Sequence, residues 1–151
     1  MQPKRINKWL NQSDLLSQID NKKILSWLNE EGSITKRISS KSNFKLEVLH
    51  DGIGNAQKEE YKALNIIPEK VRIREVILYG NSIPLVFARS IIPRLVSTKG
   101  YPGLESIGSK PLGDLIFDSD LFVKTHREFA EFRNADSKKI WGRRTQFQVK
   151  G

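Results

Sequence analysis

The stretch VRIREVILYGNSIPLVFARSIIP, from Val71 to Pro93, constrains the fold more than any other part of the chain. From Val71 to Tyr79 the side chains are rich in β-branched residues and alternate, which is strand chemistry; a helix would bring apolar residues back every third or fourth position. Gly80, Asn81 and Ser82 supply a turn, and Ile83 to Ile92 returns as the hairpin partner until Pro93 closes the pair. Charges interrupt this hairpin at its core. Arg72, Arg74, Val76 and Leu78 share one face of the first strand, and Val71, Ile73, Glu75 and Ile77 share the other. Both faces are apolar toward the C-terminal half, so neither is simply solvated. Some charge among Arg72, Arg74 and Glu75 therefore needs a partner, because an unpaired buried charge costs several kcal/mol.

The rest of the chain supplies helices and further strands. Residues from about Lys4 to Glu31 read as helix in two pieces, broken near Asp20 and Asn21. In the second piece Ile24, Leu25, Trp27 and Leu28 recur at helical spacing, and Gly32 is placed to stop it. Phe44, Leu46 and Val48 mark a half-buried strand, Asp51 to Gly54 a turn, and Ala56 to Leu64 a short helix ended near Pro68. Beyond a loop through Lys99 to Gly103, the segment from Pro111 to Phe117 reads as helix with proline in its first turn. Val123 to Phe132 and Trp141 to Val149 are two more strands, with a bulge expected where Phe129 and Phe132 break parity. There is no internal repeat, linker or low-complexity run. The expectation is one α+β domain over residues 1–151, a single antiparallel sheet with helices packed at one side.

Composition narrows the function classes. At 151 residues the chain is long enough for one sizeable core, and 38% hydrophobic with 28% charged residues fits a soluble globular protein rather than a disordered one. No stretch approaches the roughly 18 consecutive apolar residues of a membrane span, and MQPKRINKWLNQ lacks the apolar core of a secretory signal. With no cysteine there is neither a disulfide framework nor thiolate chemistry, and a reducing compartment is the simplest reading. His50 and His126 stand apart without metal-ligand spacing and read as solvated, so no metal is expected. The net charge of +9 raises a nucleic-acid hypothesis, but the basic residues are scattered through KRINK, NKK, TKR, SKK and WGRR rather than lined along one face. A Lys-, Asn- and Ile-rich coding bias, such as AT-rich organelle genomes produce, accounts for the charge. The same field would steer an anionic small molecule. No nucleic-acid partner is expected.

Four segments in register carry a resemblance. They are GSITKR (Gly32 to Arg37), the hairpin described above, the run from Leu104 to Phe132 that contains SKPLGDLIFDSD, and IWGRR (Ile140 to Arg144). Together, from about Trp27 to the C-terminus, they resemble the chorismate–pyruvate lyase family, which releases pyruvate from chorismate to leave 4-hydroxybenzoate. The resemblance implies that fold, chorismate as substrate, 4-hydroxybenzoate as product for quinone biosynthesis, and no metal or organic cofactor. It also implies a monomer in the cytoplasm or, on the compositional bias, in a plastid stroma.

The resemblance further implies three substrate-binding residues. Arg74 would grip the ring carboxylate, a task that a planar guanidinium suits through two parallel hydrogen bonds. On the residues alone, pairing of Arg74 with neighbours of Glu75, or with Glu128 or Glu131 across the sheet, is the favoured account. Ile34 stands where the family commonly has methionine or another apolar residue, and it would offer its backbone N–H to the carboxylate. Leu112, between Pro111 and Gly113 at a helix entry, would offer its N–H in the same way. Arg89 and the WGRR segment read as structural. The family also has a final strand carrying a glutamate, and no Glu follows Glu131 here, so no catalytic residue is assigned. On this reading the 151-residue chain is expected to turn chorismate over poorly. The alternatives are a non-catalytic binder of small aromatic acids with the same fold and, behind it, a basic nucleic-acid-binding module.

Overall fold

The computed structural model describes residues 2–98 and 122–149. In chain order the elements are β1 (Lys4–Arg5), α1 (Gln12–Gln18), α2 (Lys22–Leu28), α3 (Ile34–Ser39), β2 (Phe44–Asn55), α4 (Lys58–Leu64), β3 (Lys70–Gly80), β4 (Ile83–Ile92), α5 (Arg94–Thr98), β5 (Phe122–Arg133) and β6 (Lys139–Val149). The class is α+β with antiparallel pairing, as expected, but the strands form two three-stranded sheets rather than one, ordered β1-β5-β6 and β2-β3-β4. The chain divides into two compact units, residues 1–34 with 121–151, and residues 35–120.

In the second unit the hairpin is as the sequence implies. Gly80 faces Ile83, so Asn81 and Ser82 alone make the loop, and their φ values of 50° and 65° are those of a type I′ turn. Asn81 also accepts from the Asn43 N–H at 2.8 Å and donates its own N–H to the Asn43 carbonyl at 3.0 Å, which fastens the start of β2 to that turn. β2 does not turn at Asp51–Gly54 as read from its glycines. It continues to Asn55, pairing Asp51 with Arg74 and Asn55 with Lys70, and its irregularity lies between Val48 and His50. Cross-strand pairing has overridden local turn propensity. α4 starts after Gln57, whose N–H donates to the Glu60 carboxylate at 2.8 Å, and it stops at Asn65 in the left-handed region rather than near Pro68.

β3 buries opposite faces at its two ends. Val71 and Ile73 pack with Tyr61 of α4, whereas Val76 and Leu78 are buried on the other face, whose next residue, Gly80, lies close to Ile38 of α3. Arg74 stands at the change of face, between Ile73 and Val76.

In the first unit, residues read as the start of a helix instead form β1, with Lys4 opposite Arg133 and Arg5 opposite Phe132. Leu10 then bridges to Phe129 by reciprocal bonds of 2.6 and 2.9 Å. Helix begins only where a cap exists: Asn11 accepts from Asp14 N–H, and Asn21 from Lys23 and Ile24 N–H. Leu15, Leu28 and Phe129 make the core, flanked by Ile19, Ile24, Leu25 and Trp141. α2 ends at Asn29, earlier than Gly32, whose N–H is instead taken by the Glu30 carboxylate at 3.0 Å. The bulge in β5 falls between Lys124 and His126, not at Phe129 and Phe132. The expected helix from Pro111 to Phe117 lies outside the described residues.

Candidate functional site

Arg74 is the second arginine of an R-x-R pair on β3, and its side chain is 2% exposed. Strand alternation puts Arg72 on the same face, and register puts Asp51 of β2 directly opposite Arg74. Arg74 Nη1 donates to Asp51 Oδ2 at 2.9 Å. Arg72 donates to the same carboxylate from Nε and Nη2, at 2.8 and 2.9 Å. The hydrogen bond from Arg72 is the largest of the effects that hold the Asp51 carboxyl below its ordinary pKa, with Arg74 adding to it and burial opposing. The acidic neighbour of Arg74 is therefore Asp51, not Glu128 or Glu131. Within this trio two guanidiniums face one carboxylate, so the three groups together carry one positive charge.

The next position on β3 is arranged with the opposite balance. Glu75 faces Arg89 of β4 and accepts from its Nη1 at 2.9 Å. Arg89 also forks onto Glu60 of α4, from Nε at 2.8 Å and Nη2 at 2.9 Å. The bond to Glu60 leads the influences that raise the pKa of Arg89, and Glu75 reinforces it. One guanidinium faces two carboxylates here, which agrees with a structural role for Arg89.

Ile34 belongs to the first unit and Arg74 to the second, while Leu112 lies outside the described residues. Ile34 is the half-buried first residue of α3, so its N–H has no acceptor within that helix. The junction that leads to it, Leu28 to Ser33, is held from the sheet. Arg143 of β6 donates from Nη1 to the carbonyls of Leu28 at 3.2 Å and Glu30 at 2.7 Å. Arg127 of β5 donates from Nη1 to the same Glu30 carbonyl at 3.1 Å and from Nε to Thr145 Oγ1 at 3.0 Å. Lys124 pairs with the Glu31 carboxylate. Burial lowers the pKa of both arginines; for Arg143, with the charge of Arg127 as the second cause, it falls to about 10.

Reading the sequence missed Asp51, which its glycine neighbours disguised as a turn residue, and Glu60. It also missed the hold of Arg127 and Arg143 on main-chain carbonyls. The complementary charges of Asp51 and the R-x-R pair were the available signal, once β2 is extended far enough to oppose them. His126 is exposed and lies 3.4 Å from Glu128, and His50 is exposed. Among the described residues no three or more His, Asp or Glu side chains group so as to hold a metal, and no helix is long and apolar enough to cross a membrane.

The sequence matches the family model described as chorismate lyase over residues 3–151. It is 34% identical to a protein of Pseudomonas entomophila named "Probable chorismate pyruvate-lyase 2", across 95% of this chain and 82% of that protein. A Pseudomonas putida protein named "Probable chorismate pyruvate-lyase" shows the same identity and coverage. A Pseudoalteromonas atlantica protein of that name is 36% identical over 92% of this chain and 78% of its own length.

Proposed function

The chain belongs to the chorismate lyase family, and we propose that it eliminates pyruvate from chorismate to leave 4-hydroxybenzoate. The observation that carries the proposal to a particular site is Arg74: a guanidinium 2% exposed at mid-strand, held in place by Asp51 with Arg72 beside it. A carboxylate is the ligand such a group fits, in charge and in its two-pronged planar geometry.

Chorismate carries its own driving force. Breaking the ether C–O bond with loss of a ring hydrogen makes the ring aromatic, and the enolpyruvyl fragment leaves as pyruvate. What remains for the protein is to hold the ring carboxylate, orient the ether and keep water away. Arg74 holds the carboxylate with the backbone N–H groups of Ile34 and Leu112. Asp51 fixes the side chains of Arg72 and Arg74. The reaction calls for no metal or organic cofactor, and the catalytic residue stays unassigned.

The same reading takes residues 1–151 as one chorismate-lyase-like domain, a monomer with no nucleic-acid partner, whose product feeds quinone-ring synthesis. It places the reaction in a cytoplasm or a plastid stroma. The plastid part rests on composition alone, since the relatives described above are bacterial.

The test is incubation of the purified protein with chorismate, following pyruvate by a coupled dehydrogenase and 4-hydroxybenzoate by absorbance. Equal amounts of both products are expected, unaffected by a chelator. Binding of 4-hydroxybenzoate with no pyruvate release would identify a non-catalytic binder instead. Failure to bind 4-hydroxybenzoate at all would remove the site assignment.

A further inference from the structure

Arg127 and Arg143 are placed where a folding role alone is an expensive explanation. α2 ends at Leu28, and its last carbonyls need donors. The Asn29 N–H already closes back onto the carbonyl of Leu25 at 2.9 Å, and the Glu30 N–H onto that of Trp27 at 3.3 Å. A helix end of this kind is ordinarily finished by one glycine and a turn. Here two guanidiniums converge on a single carbonyl, that of Glu30, at 2.7 and 3.1 Å. The Arg127 side chain is only 10% exposed, and its Nη2 is buried without a hydrogen-bond partner. The carboxylate nearest to it, Glu31, is 74% exposed and 3.7 Å away. Two like charges are thus brought together away from water with main-chain oxygen as their acceptor, a costly arrangement.

What the arrangement fixes is the backbone just ahead of Ile34. Glu30 is held through its carbonyl by both arginines, and its carboxylate takes the N–H of Gly32. Ser33, next in line, is buried. From the pinned Glu30 carbonyl to the Ile34 N–H the chain has little freedom left. Thr145 in turn aligns Arg127 by accepting from its Nε.

We propose that Arg127 and Arg143 are positioning residues for substrate binding: by clamping the Glu30 carbonyl they set the Ile34 N–H at the ring carboxylate of chorismate. This rests on the reading of Ile34 given above. Neither arginine touches the substrate. They act through the main chain, and Thr145 acts through Arg127.

The experiment compares affinity for 4-hydroxybenzoate with that for the neutral 4-hydroxybenzamide in the wild-type chain, Arg143→Lys and Thr145→Val, with Tm recorded for each. The amide ligand keeps the ring and the hydroxyl but lacks the carboxylate. Wild type should prefer the acid. Arg143→Lys keeps a charge but cannot present the planar Nη1 donor to both carbonyls from the same place, and it should lose about tenfold or more of that preference, since misplacement by an ångström can cost about a hundredfold. The KM for chorismate should rise with it. Thr145→Val, close to isosteric, should lose less of the preference and keep its Tm. Should Arg143→Lys fail to fold, Thr145→Val alone decides the matter. A lowered Tm with the acid preference intact in the folded variants would reduce both arginines to structural roles and overturn the proposal. Absence of any acid preference in wild type would instead overturn the underlying reading of the site.

Discussion

In the β2-β3-β4 sheet arginine is met by carboxylate: Arg72 and Arg74 share Asp51, and Arg89 spans Glu60 and Glu75. In the β1-β5-β6 sheet Arg127 and Arg143 are met mainly by main-chain carbonyls. Arg144 is the exception there, reaching Glu128 from Nη2 at 2.6 Å while its guanidinium stacks over the Trp9 ring at 4.1 Å. The two uses of the same side chain do different work. A carboxylate partner fixes where a charge sits and how much of it remains. A carbonyl partner leaves the charge whole and fixes where the backbone runs. On the proposed function Arg74 is the one held in place to meet an anion, whereas Arg127 and Arg143 shape a loop.

The sharpest way to break this contrast is Asp51→Asn. It leaves Arg72 and the nearly inaccessible Arg74 facing a neutral amide in place of their shared carboxylate. Removing one partner of a buried pair is costly because the other charge remains, and about 3 kcal/mol of stability should be lost. Urea unfolding at neutral pH, with an unchanged m-value, measures it. A loss well under 1 kcal/mol would mean that Asp51 does not hold these arginines as described.

Next in size is Arg74→Ala. Asp51 keeps its forked bond to Arg72, so the fold should persist. Affinity for 4-hydroxybenzoate should fall about ten- to a hundredfold, the worth of a charge-assisted hydrogen bond of roughly 1.5–3 kcal/mol. Calorimetry on a variant with a native circular dichroism spectrum reads this directly. Unchanged affinity would place the carboxylate site elsewhere.

How far the sequence anticipates these two sites depends on the range of the interactions that build them. The β3–β4 hairpin was legible because alternation and an Asn-Ser turn are local, and both survive folding apart from a register shift between Leu78 and Tyr79. Arg74 stood out for the same reason, as a charge inside that local pattern. Asp51 did not, because Gly52 and Gly54 beside it favour a turn in isolation and only pairing with β3 keeps them extended. Lys4 and Arg5 failed similarly: they read as helix, yet their partners Arg133 and Phe132 come from the other end of the chain. Two sheets were read as one because strand count is local and strand order is not. The grip of Arg127 and Arg143 on Glu30 had no sequence signal at all, since a main-chain carbonyl looks the same at every residue.

The smallest effect expected is also the finest discriminator between the two regions, because it compares two carboxylates whose pKa values are lowered for like reasons. Bonding to Arg72 lowers that of Asp51, and bonding to Lys124 lowers that of Glu31. For a group with a depressed folded pKa, the stabilisation is fully present above the unfolded value and is lost as pH falls through the folded one. Both should therefore contribute at neutral pH, with the loss beginning near pH 4, the ordinary range for these side chains, and continuing below it. They differ in exposure. Asp51 is 19% exposed and set between two strands, whereas Glu31 is 74% exposed and its pair is open to counter-ions. Raising the salt to about 1 M, where screening acts over roughly 3 Å, should erase the small stability difference between wild type and Glu31→Gln. The same salt should leave most of the difference for Asp51→Asn. Acid titrations of unfolding for wild type and both variants, at low and high salt, give the six curves needed. If salt collapsed the Asp51 difference as fully as the Glu31 one, the β2–β3 trio would be a surface pair, and Arg74 would lose its claim to hold a substrate out of water.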